Sequence, residues 1–490
     1  MNIKVPRLLI AGLSGDSGKT IASLSLLTLL RQKGLAVSVY KKGPDYIDAA
    51  WLAHASGGVC YNLDTYMADS NEVVRTFMSK AKTADLALVE GNRGIFDGKD
   101  ISGTHSTAEL AKLLKAPVAL VVDATKTTRT VAALVKGCID FDPEVKIAGV
   151  ILNRVAGKRH EKIITEAIEK YCGLPVVGVI PKIAADSDLL PGRHLGLVPP
   201  SEFKQADALD EKLRRIAEEY LDSEALLKIA AAAPGLESPV DEIFADVKTT
   251  VKIGYFRDSV FTFYYPDNLE ALRREGAELV PVSSLDDRQL PDIDALYIGG
   301  GFPETHAERL VANKDLMISV KRAVEEGLPV YAECGGLIYL ARTLRRSGET
   351  FAMTGVFPVD LTMRDKPVGH GYTLMEIDTG NPFFEIGTQL KGHEFHYSGL
   401  VADELAAVTS MTVRRGFGID GRRDGLLYKN CLACYTHIHA AGVKGWAKAV
   451  AAAARKFSFG AKSEKRVEKK IAERTERSRV VEPEPVGLSV

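Results

Sequence analysis

Short apolar runs alternate with helix-period segments through the first half of the chain. The runs are Arg7 to Ala11, Ala36 to Tyr40, Leu86 to Val89, Val118 to Asp123, Ile147 to Leu152 and Val176 to Ile180. They are apolar at consecutive positions, the pattern of strands covered on both faces. The segments between them have crossover length, which predicts a parallel sheet with helices on both sides, an α/β architecture. Around Ala230 to Pro239 the chain reads AAAAPGLESP, a break that suits a linker. Strand signals then restart at Val251 to Tyr255, Leu279 to Val282, Ala295 to Ile298 and Val330 to Ala332, with helical stretches at Asn268 to Glu275 and Lys314 to Glu326 between them. The expected division is a first domain over 1–235, a linker over 236–250, a second α/β domain over 251–455 and a tail over 456–490. The tail is charged, almost free of aromatics and closed by Pro-Glu-Pro, so it is expected to be disordered.

Composition narrows the function classes. A length of 490 residues with 46% hydrophobic content is enough for several globular cores. Lys plus Arg number 63 against 64 Asp plus Glu, so the chain carries no overall electrostatic footprint for nucleic acid. No apolar run approaches the roughly 20 residues that cross a bilayer. Six scattered cysteines do not make a disulfide framework, and the opening MNIKVPRLLIAGLSG lacks a small-residue cleavage site. The expected compartment is a reducing cytoplasm.

Gly12-Leu13-Ser14-Gly15-Asp16-Ser17-Gly18-Lys19-Thr20 follows a strand and opens an apolar helix. Glycines let backbone N–H groups converge on phosphate, and the helix N-terminus adds positive potential. Lys19 would reach the β- and γ-phosphates and the Thr20 hydroxyl would bind Mg²⁺. Gly15, Asp16, Ser17 and Gly18 complete the expected ATP cradle, although five residues rather than four separate Gly12 from Gly18. Carboxylates follow at predicted strand ends, where open α/β sheets bind ligands: Asp45 and Asp48 after the second strand, Glu90 and Asp97 after the third. Glu90 is the natural metal carboxylate, and Asp45, Asp48 and Asp97 could complete a metal environment or position a substrate carboxylate. Asn153 ends another strand, where its amide could read a base edge or cap a turn. His54 and His105 have no partner spacing and read as solvated or structural.

In the second half, Pro329 to Ile338 reads strand, sharp turn, helix, with Cys334 at the turn and two glycines after it. That is the pattern of a nucleophile elbow, with the thiol at a helix N-terminus expected to lower its pKa and a backbone N–H available to an oxyanion. The strand-like stretch LLYKNCLACYTHIH carries two candidate bases, His437 and His439. Alternation puts both on one face, so periodicity does not choose between them. The loop Gly299-Gly300-Gly301 could add a second oxyanion N–H. His393 and His396 lack the spacing of a metal helix, and Cys431 with Cys434 is a single pair where structural zinc wants four ligands.

Taken together, GLSGDSGKT, KKGPDYID, LVEGNRGIFDG, FYYPDNLEAL, IGGGFPE, YAECGGLIYL, GHEFHYS and YTHIH, in this order, resemble the cobyrinic acid a,c-diamide synthase family of cobalamin biosynthesis. The resemblance runs to about residue 454. It implies a dethiobiotin synthetase-like domain that binds ATP and Mg²⁺, followed by a CobB/CobQ-type class I glutamine amidotransferase domain. Carried over, Cys334 is the glutaminase nucleophile and His437 its base, with His439 as the fallback and no third acidic member. Lys19 and Thr20 hold ATP–Mg²⁺, Glu90, Asp45, Asp48 and Asp97 fall on the acidic motif positions, with Thr20, Asp45 and Glu90 nearest the metal, and Asn153 matches the adenine-reading Asn. Ala49-Ala50 after Asp48 departs from the proline usual in relatives. The implied substrates are a tetrapyrrole dicarboxylate, L-glutamine and ATP, with no nucleic acid or membrane partner and a homodimer as a candidate assembly. Nickel-sirohydrochlorin a,c-diamide synthases share nearly all these motifs and form the alternative reading. A nucleotide-switched regulatory ATPase is the remote one, and Ser14, standing where MinD-type loops carry a signature lysine, weighs against it.

Overall fold

A computed structural model describes residues 2–182, 192–193, 196–203, 205–237, 248–401, 405 and 407–460. The expected linker therefore lies partly, over 238–247, and the expected tail largely, over 461–490, outside the described residues. The chain divides into two compact units. The first holds Met1–Phe244 with two later segments, Phe263–Asn268 and Ile438–Val443; the second holds Ala245–Thr262, Leu269–His437 and Lys444–Val490.

Seven parallel strands form the sheet of the first unit, in the order Cys60–Leu63, Val37–Lys42, Leu86–Gly94, Arg7–Gly12, Val118–Asp123, Ile147–Val155 and Val176–Pro181. Every residue of Arg7–Gly12 is buried, which explains its unbroken apolar pattern. Helices Ser70–Ala81, Thr107–Leu113, Thr130–Phe141 and Lys158–Cys172 cover the face that carries Leu9, Val89 and Leu120. On the other face lies helix Lys19–Gln32, buried without a break from Ala22 to Leu30 and packed against Ile47–Ser56 and Ala206–Tyr220. The phosphate-loop helix is thus a core element from Ala22 onward. The edge strand Cys60–Leu63 was not among the predicted runs, because its polar Asn62 and short length leave no apolar run to see.

Arg7 opens the central strand fully buried. Its guanidinium donates to the carbonyl oxygens of Leu114 (2.6 Å), Val5 (3.0 Å), Lys115 (3.1 Å) and Pro234 (2.7 Å). Burial pulls its pKa down to about 10, which still leaves the side chain charged at neutral pH. One side chain thereby closes four backbone acceptors around the amino end of the sheet. Arg7→Met is expected to destabilise the unit by about 3 kcal/mol, because the buried carbonyls lose their donors. Urea and thermal unfolding check this, and an unchanged midpoint would contradict it.

The second unit is built on a ten-stranded sheet. Five parallel strands, Ala277–Val282, Val251–Phe256, Ala295–Ile298, Val330–Glu333 and Cys431–Cys434, continue antiparallel through Arg423–Tyr428, Thr409–Arg415, Gly369–Ile377 and Gln389–His396, with His437–Ile438 at the end of the order. A four-stranded sheet of Glu349–Ala352, Thr343–Arg346, Asp360–Met363 and Ser398–Leu400 accompanies it. The stretch expected as one late strand is a hairpin instead. Lys429 turns it with φ at 51°, pairing Arg423–Tyr428 with Cys431–Cys434 before the short His437–Ile438. A helix spans 446–460. Among the described residues no helix is long and apolar enough to cross a membrane.

Candidate active sites

The first site forms where the parallel strands of the first unit end. Sheet register does the assembly: Gly12 pairs with Gly94 and with Val121, Lys41 with Glu90, and Asp123 with Asn153. The phosphate loop therefore opens beside Lys41, Glu90 and Asn153. Gly18 caps the helix with φ at 97°, and a Cβ there would stand 2.1 Å from the Asn153 amide, so both the backbone angle and the space require glycine. Lys19 is buried and donates to the Ser14 carbonyl at 3.2 Å. Burial and the neighbouring Lys41 charge pull its pKa down, against the pull of Glu90 and Asp48.

Lys41 is the centre of this site. Its ammonium is buried and lies 2.7 Å from Glu90 Oε1, 2.7 Å from Asp48 Oδ2 and 3.3 Å from the Gly91 carbonyl. Burial opposes its charge, but the two carboxylates overcome that and raise its pKa well above the usual lysine range. Asp48 is likewise opposed by burial and held below the usual range by Lys41. Asp45 caps the helix that begins at Ile47, accepting from the Ile47 N–H (3.0 Å) and the Asp48 N–H (2.9 Å). Burial first, and then the Asp48 charge, push Asp45 up to about 7. The Thr20 hydroxyl donates to Glu90 Oε1 at 3.3 Å, while Glu90 Oε2 is buried with no hydrogen-bond partner among the described residues.

Those oxygens fit a hard divalent cation. A buried carboxylate oxygen that lacks a donor beside a helix-borne hydroxyl is the donor set that Mg²⁺ uses with phosphates, which needs only one or two protein oxygens. Among the described residues no group of three or more His, Cys, Asp or Glu side chains forms a metal cage. Asp45 has one oxygen engaged by its helix, which sets it apart from Thr20 and Glu90 as a ligand.

Two expected members lie outside the Lys41 network. Asp97 is exposed and accepts from the Gly94 N–H at 2.8 Å, a loop tie rather than part of the Lys41 network. Asn153 donates its amide to the Ser17 carbonyl at 3.0 Å and accepts from the Arg154 N–H at 2.9 Å, so it ties the phosphate loop to strand Ile147–Val155. Within that loop Asp16 takes φ 55°, and its carbonyl accepts from Arg154 at 3.1 Å. Gly15 is exposed beside it, and the Ser17 hydroxyl is buried without a partner among the described residues. His54 faces Asp210 at 3.2 Å and His105 meets the Thr65 hydroxyl at 2.9 Å, both structural ties.

The second site lies in the second unit, where Val330–Glu333 gives way to helix Gly335–Leu340. Cys334 has φ 47° and ψ −94°, a conformation strained for a side chain with Cβ and the mark of a nucleophile elbow. The Cys334 N–H donates to the Cys434 carbonyl at 2.7 Å, which locks the turn to the neighbouring strand. The glycine loop after Ala295–Ile298 closes on the elbow: a Cβ on Gly335 would lie 3.0 Å from the Gly301 nitrogen. That proximity suits the expected second oxyanion N–H.

The thiol departs from expectation. Burial, followed by the Glu304 charge, raises its pKa and outweighs the Gly335 N–H that would lower it. The helix behind it is six residues long, and a short dipole does not offset the loss of solvent. Cys334 therefore rests as a thiol and needs a base.

His437 and His439 do not share a site. His437 is buried with Nδ1 3.3 Å from Glu333 Oε2, and its ring stacks on His393 at 5.0 Å. His439 groups with the first unit, where Nε2 stands 3.3 Å from Asp267 and the ring packs on Tyr265 at 4.8 Å. The strand lasts only from His437 to Ile438, so the alternation that put both on one face stops between them. Behind His437, Asp424 accepts from the Tyr435 N–H (3.0 Å) and the Thr436 N–H (3.1 Å), and His396 stacks on Tyr435 at 3.7 Å. Cys431 and Cys434 are buried within their strand.

Lys41 and Glu333 carried no assignment from the sequence. The available signal was a charged residue near the carboxyl end of a strand, at the last position for Glu333 and next to last for Lys41.

Comparison with known proteins places both halves. A family model described as a CobQ/CobB/MinD/ParA nucleotide binding domain matches residues 8–193, and one described as a CobB/CobQ-like glutamine amidotransferase domain matches 252–444. A cobyrinate a,c-diamide synthase of Magnetococcus marinus is 42% identical over 453 residues, covering 91% of this chain and 97% of that protein. The protein of the same name from Archaeoglobus fulgidus is 43% identical over 441 residues, covering 89% and 94%. That from Listeria innocua is 39% identical over 435 residues, covering 88% and 96%. With end-to-end likeness of this kind and both domain types on one polypeptide, the chain belongs to the cobyrinate a,c-diamide synthase family of glutamine-hydrolysing carbon–nitrogen ligases.

Proposed function

We propose that this chain amidates the a- and c-acetate carboxylates of cobyrinate or hydrogenobyrinate in cobalamin biosynthesis, using ATP and the amide nitrogen of glutamine. The observation that carries the reading is the presence, on a chain alike to its relatives over nine-tenths of its length, of both a phosphate loop with a buried Lys–carboxylate network and a cysteine elbow with a histidine. Residues 1–235 are the ATP-dependent amide synthase domain, 236–250 the linker, 251–455 the glutaminase domain and 456–490 a tail.

A carboxylate resists attack by ammonia because its leaving group would be oxide. Transfer of the γ-phosphoryl group to a carboxylate oxygen replaces that with phosphate, a good leaving group. The Gly15 to Gly18 backbone and Lys19 orient the triphosphate, and Asn153 keeps the loop in place. Thr20 and Glu90 would hold Mg²⁺, which supplies charge neutralisation to the phosphates when bound. The buried Lys41 ammonium offsets the negative charge of the transferring group, and Asp48 fixes its direction. Asp45 and Asp97 border the substrate side. Asp45, poised near neutrality, stays protonated more readily than an ordinary carboxyl and so tolerates a substrate carboxylate nearby.

In the glutaminase domain the Cys334 thiol gives its proton to His437 and attacks the glutamine side-chain carbonyl. The tetrahedral oxyanion faces backbone N–H groups of the elbow and the Gly299 to Gly301 loop. Collapse expels ammonia, which carries the proton from His437, and water hydrolyses the thioester to glutamate. Ammonia released within the enzyme remains neutral and nucleophilic, whereas free ammonia at neutral pH is mostly ammonium. It then displaces phosphate from the acyl phosphate. The enzyme is cytoplasmic and acts on small molecules without nucleic-acid or membrane partners, with a homodimer as the candidate assembly.

Mass spectrometry of products formed with ATP, Mg²⁺ and glutamine from cobyrinate, hydrogenobyrinate or nickel-sirohydrochlorin tests the substrate. The expected product has two acid hydroxyls exchanged for amino groups on a cobyrinate-type ring. Amidation of nickel-sirohydrochlorin alone would overturn the assignment.

A further inference from the structure

The glutaminase domain holds a buried carboxylate in the place where a base needs an orienting group. Glu333 is fully buried and directly precedes Cys334. Tyr297 Oη donates to its Oε2 at 3.1 Å, Tyr331 Oη donates to its Oε1 at 3.2 Å, and His437 Nδ1 lies 3.3 Å from Oε2. The fold dictates this meeting. Tyr331 and Glu333 are two apart on Val330–Glu333 and so share a sheet face, and Tyr297 is the register partner of Tyr331 on the adjacent strand. On the other side Glu333 pairs with Cys434, three residues before His437.

Resting on the glutaminase reading above, we infer that Glu333 is the positioning residue of a Cys334–His437–Glu333 triad. An ionised carboxylate accepts hydrogen bonds and donates none, so His437 must present Nδ1–H to it. That fixes the tautomer and leaves Nε2 the unprotonated nitrogen that takes the thiol proton. The two tyrosines fix the carboxylate in turn: burial raises the Tyr331 pKa, so its hydroxyl stays a donor. A carboxylate taken fully out of water is costly unless its lone pairs are filled, and three donors from three separate strands fill them. His439 groups with the other unit, and the acid enters from the residue before the nucleophile.

Glu333→Gln nearly keeps shape but can turn an NH₂ toward Nδ1 and so favour the wrong tautomer. The expected result is a fall of about 10²-fold in kcat for glutamine hydrolysis, with KM within about threefold. Ammonia-driven amide synthesis, which does not pass through Cys334, stays within about twofold. Glu333→Asp, which keeps the charge, recovers about tenfold over Glu333→Gln, and should the Gln variant not fold, it carries the test alone with a smaller loss. In a His437→Ala background the Glu333 substitution has no further effect, because its action runs through that ring. Three results would each overturn the assignment: glutamine kcat within about threefold of the unmodified chain, equal loss of glutamine- and ammonia-driven rates, or a full additional loss on top of His437→Ala. Failure of the unmodified chain to hydrolyse glutamine would instead overturn the glutaminase reading itself, and the two failures are read from different samples.

Discussion

Cys334→Ser is expected to lower glutamine-driven amide synthesis by about 10³-fold or more, with ammonia-driven synthesis retained. Strain at φ 47° presents the side chain off the end of a buried strand, and burial keeps the thiol protonated until a base acts. A hydroxyl in the same place is a far weaker nucleophile with a far higher pKa, and the single base that serves the thiol does not compensate. The ammonia-driven rate is the internal control for folding, because the ligase chemistry is assigned to the other unit. Paired assays with glutamine and with ammonium salt decide it. Glutamine-driven synthesis that survives the substitution would remove Cys334 from the mechanism.

The second large effect is expected at Lys41. Lys41→Met should lower glutamine-driven and ammonia-driven synthesis alike by about 10²–10³-fold, because both need the same phosphoryl transfer. The substitution also leaves Glu90 and Asp48 buried without their cation, so some loss of stability accompanies it. Lys41→Arg separates the two contributions: it keeps the charge but not the compact point geometry, and is expected to retain stability while losing most of the rate. Initial rates with ammonium as nitrogen source, beside thermal unfolding of each variant, check this. A Lys41→Met enzyme that makes amide from ammonia at the unmodified rate would show that the lysine is structural only.

What could be read from the chain followed the range of the interaction. The phosphate loop was legible because strand, glycines, Lys19 and helix are contiguous, and the elbow at Cys334 for the same reason. The parallel strands were legible as unbroken apolar runs because both faces are covered. Lys41 and Glu333 were not, since each acquires its role from neighbouring strands: Lys41 meets Glu90 through register, and Glu333 meets Tyr297 and His437 across two strand boundaries. The choice between His437 and His439 needed the point where the strand ends, which periodicity does not mark. The rise rather than fall of the Cys334 pKa depends on burial and then on the Glu304 charge, both tertiary properties. Asp97 was found in its expected loop and Asn153 near the end of its expected strand, but with their side chains engaged locally, one on Gly94 and the other on Ser17.

The central claim is that a carboxylate activated by phosphate in one unit receives nitrogen freed in the other. Its most direct measurement uses cobyrinate with ¹⁸O-labelled acetate carboxylates, ATP, Mg²⁺ and glutamine, and follows the label into inorganic phosphate by mass spectrometry. The account predicts one ¹⁸O transferred to phosphate for every amide formed. Amide formation with unlabelled phosphate would contradict it.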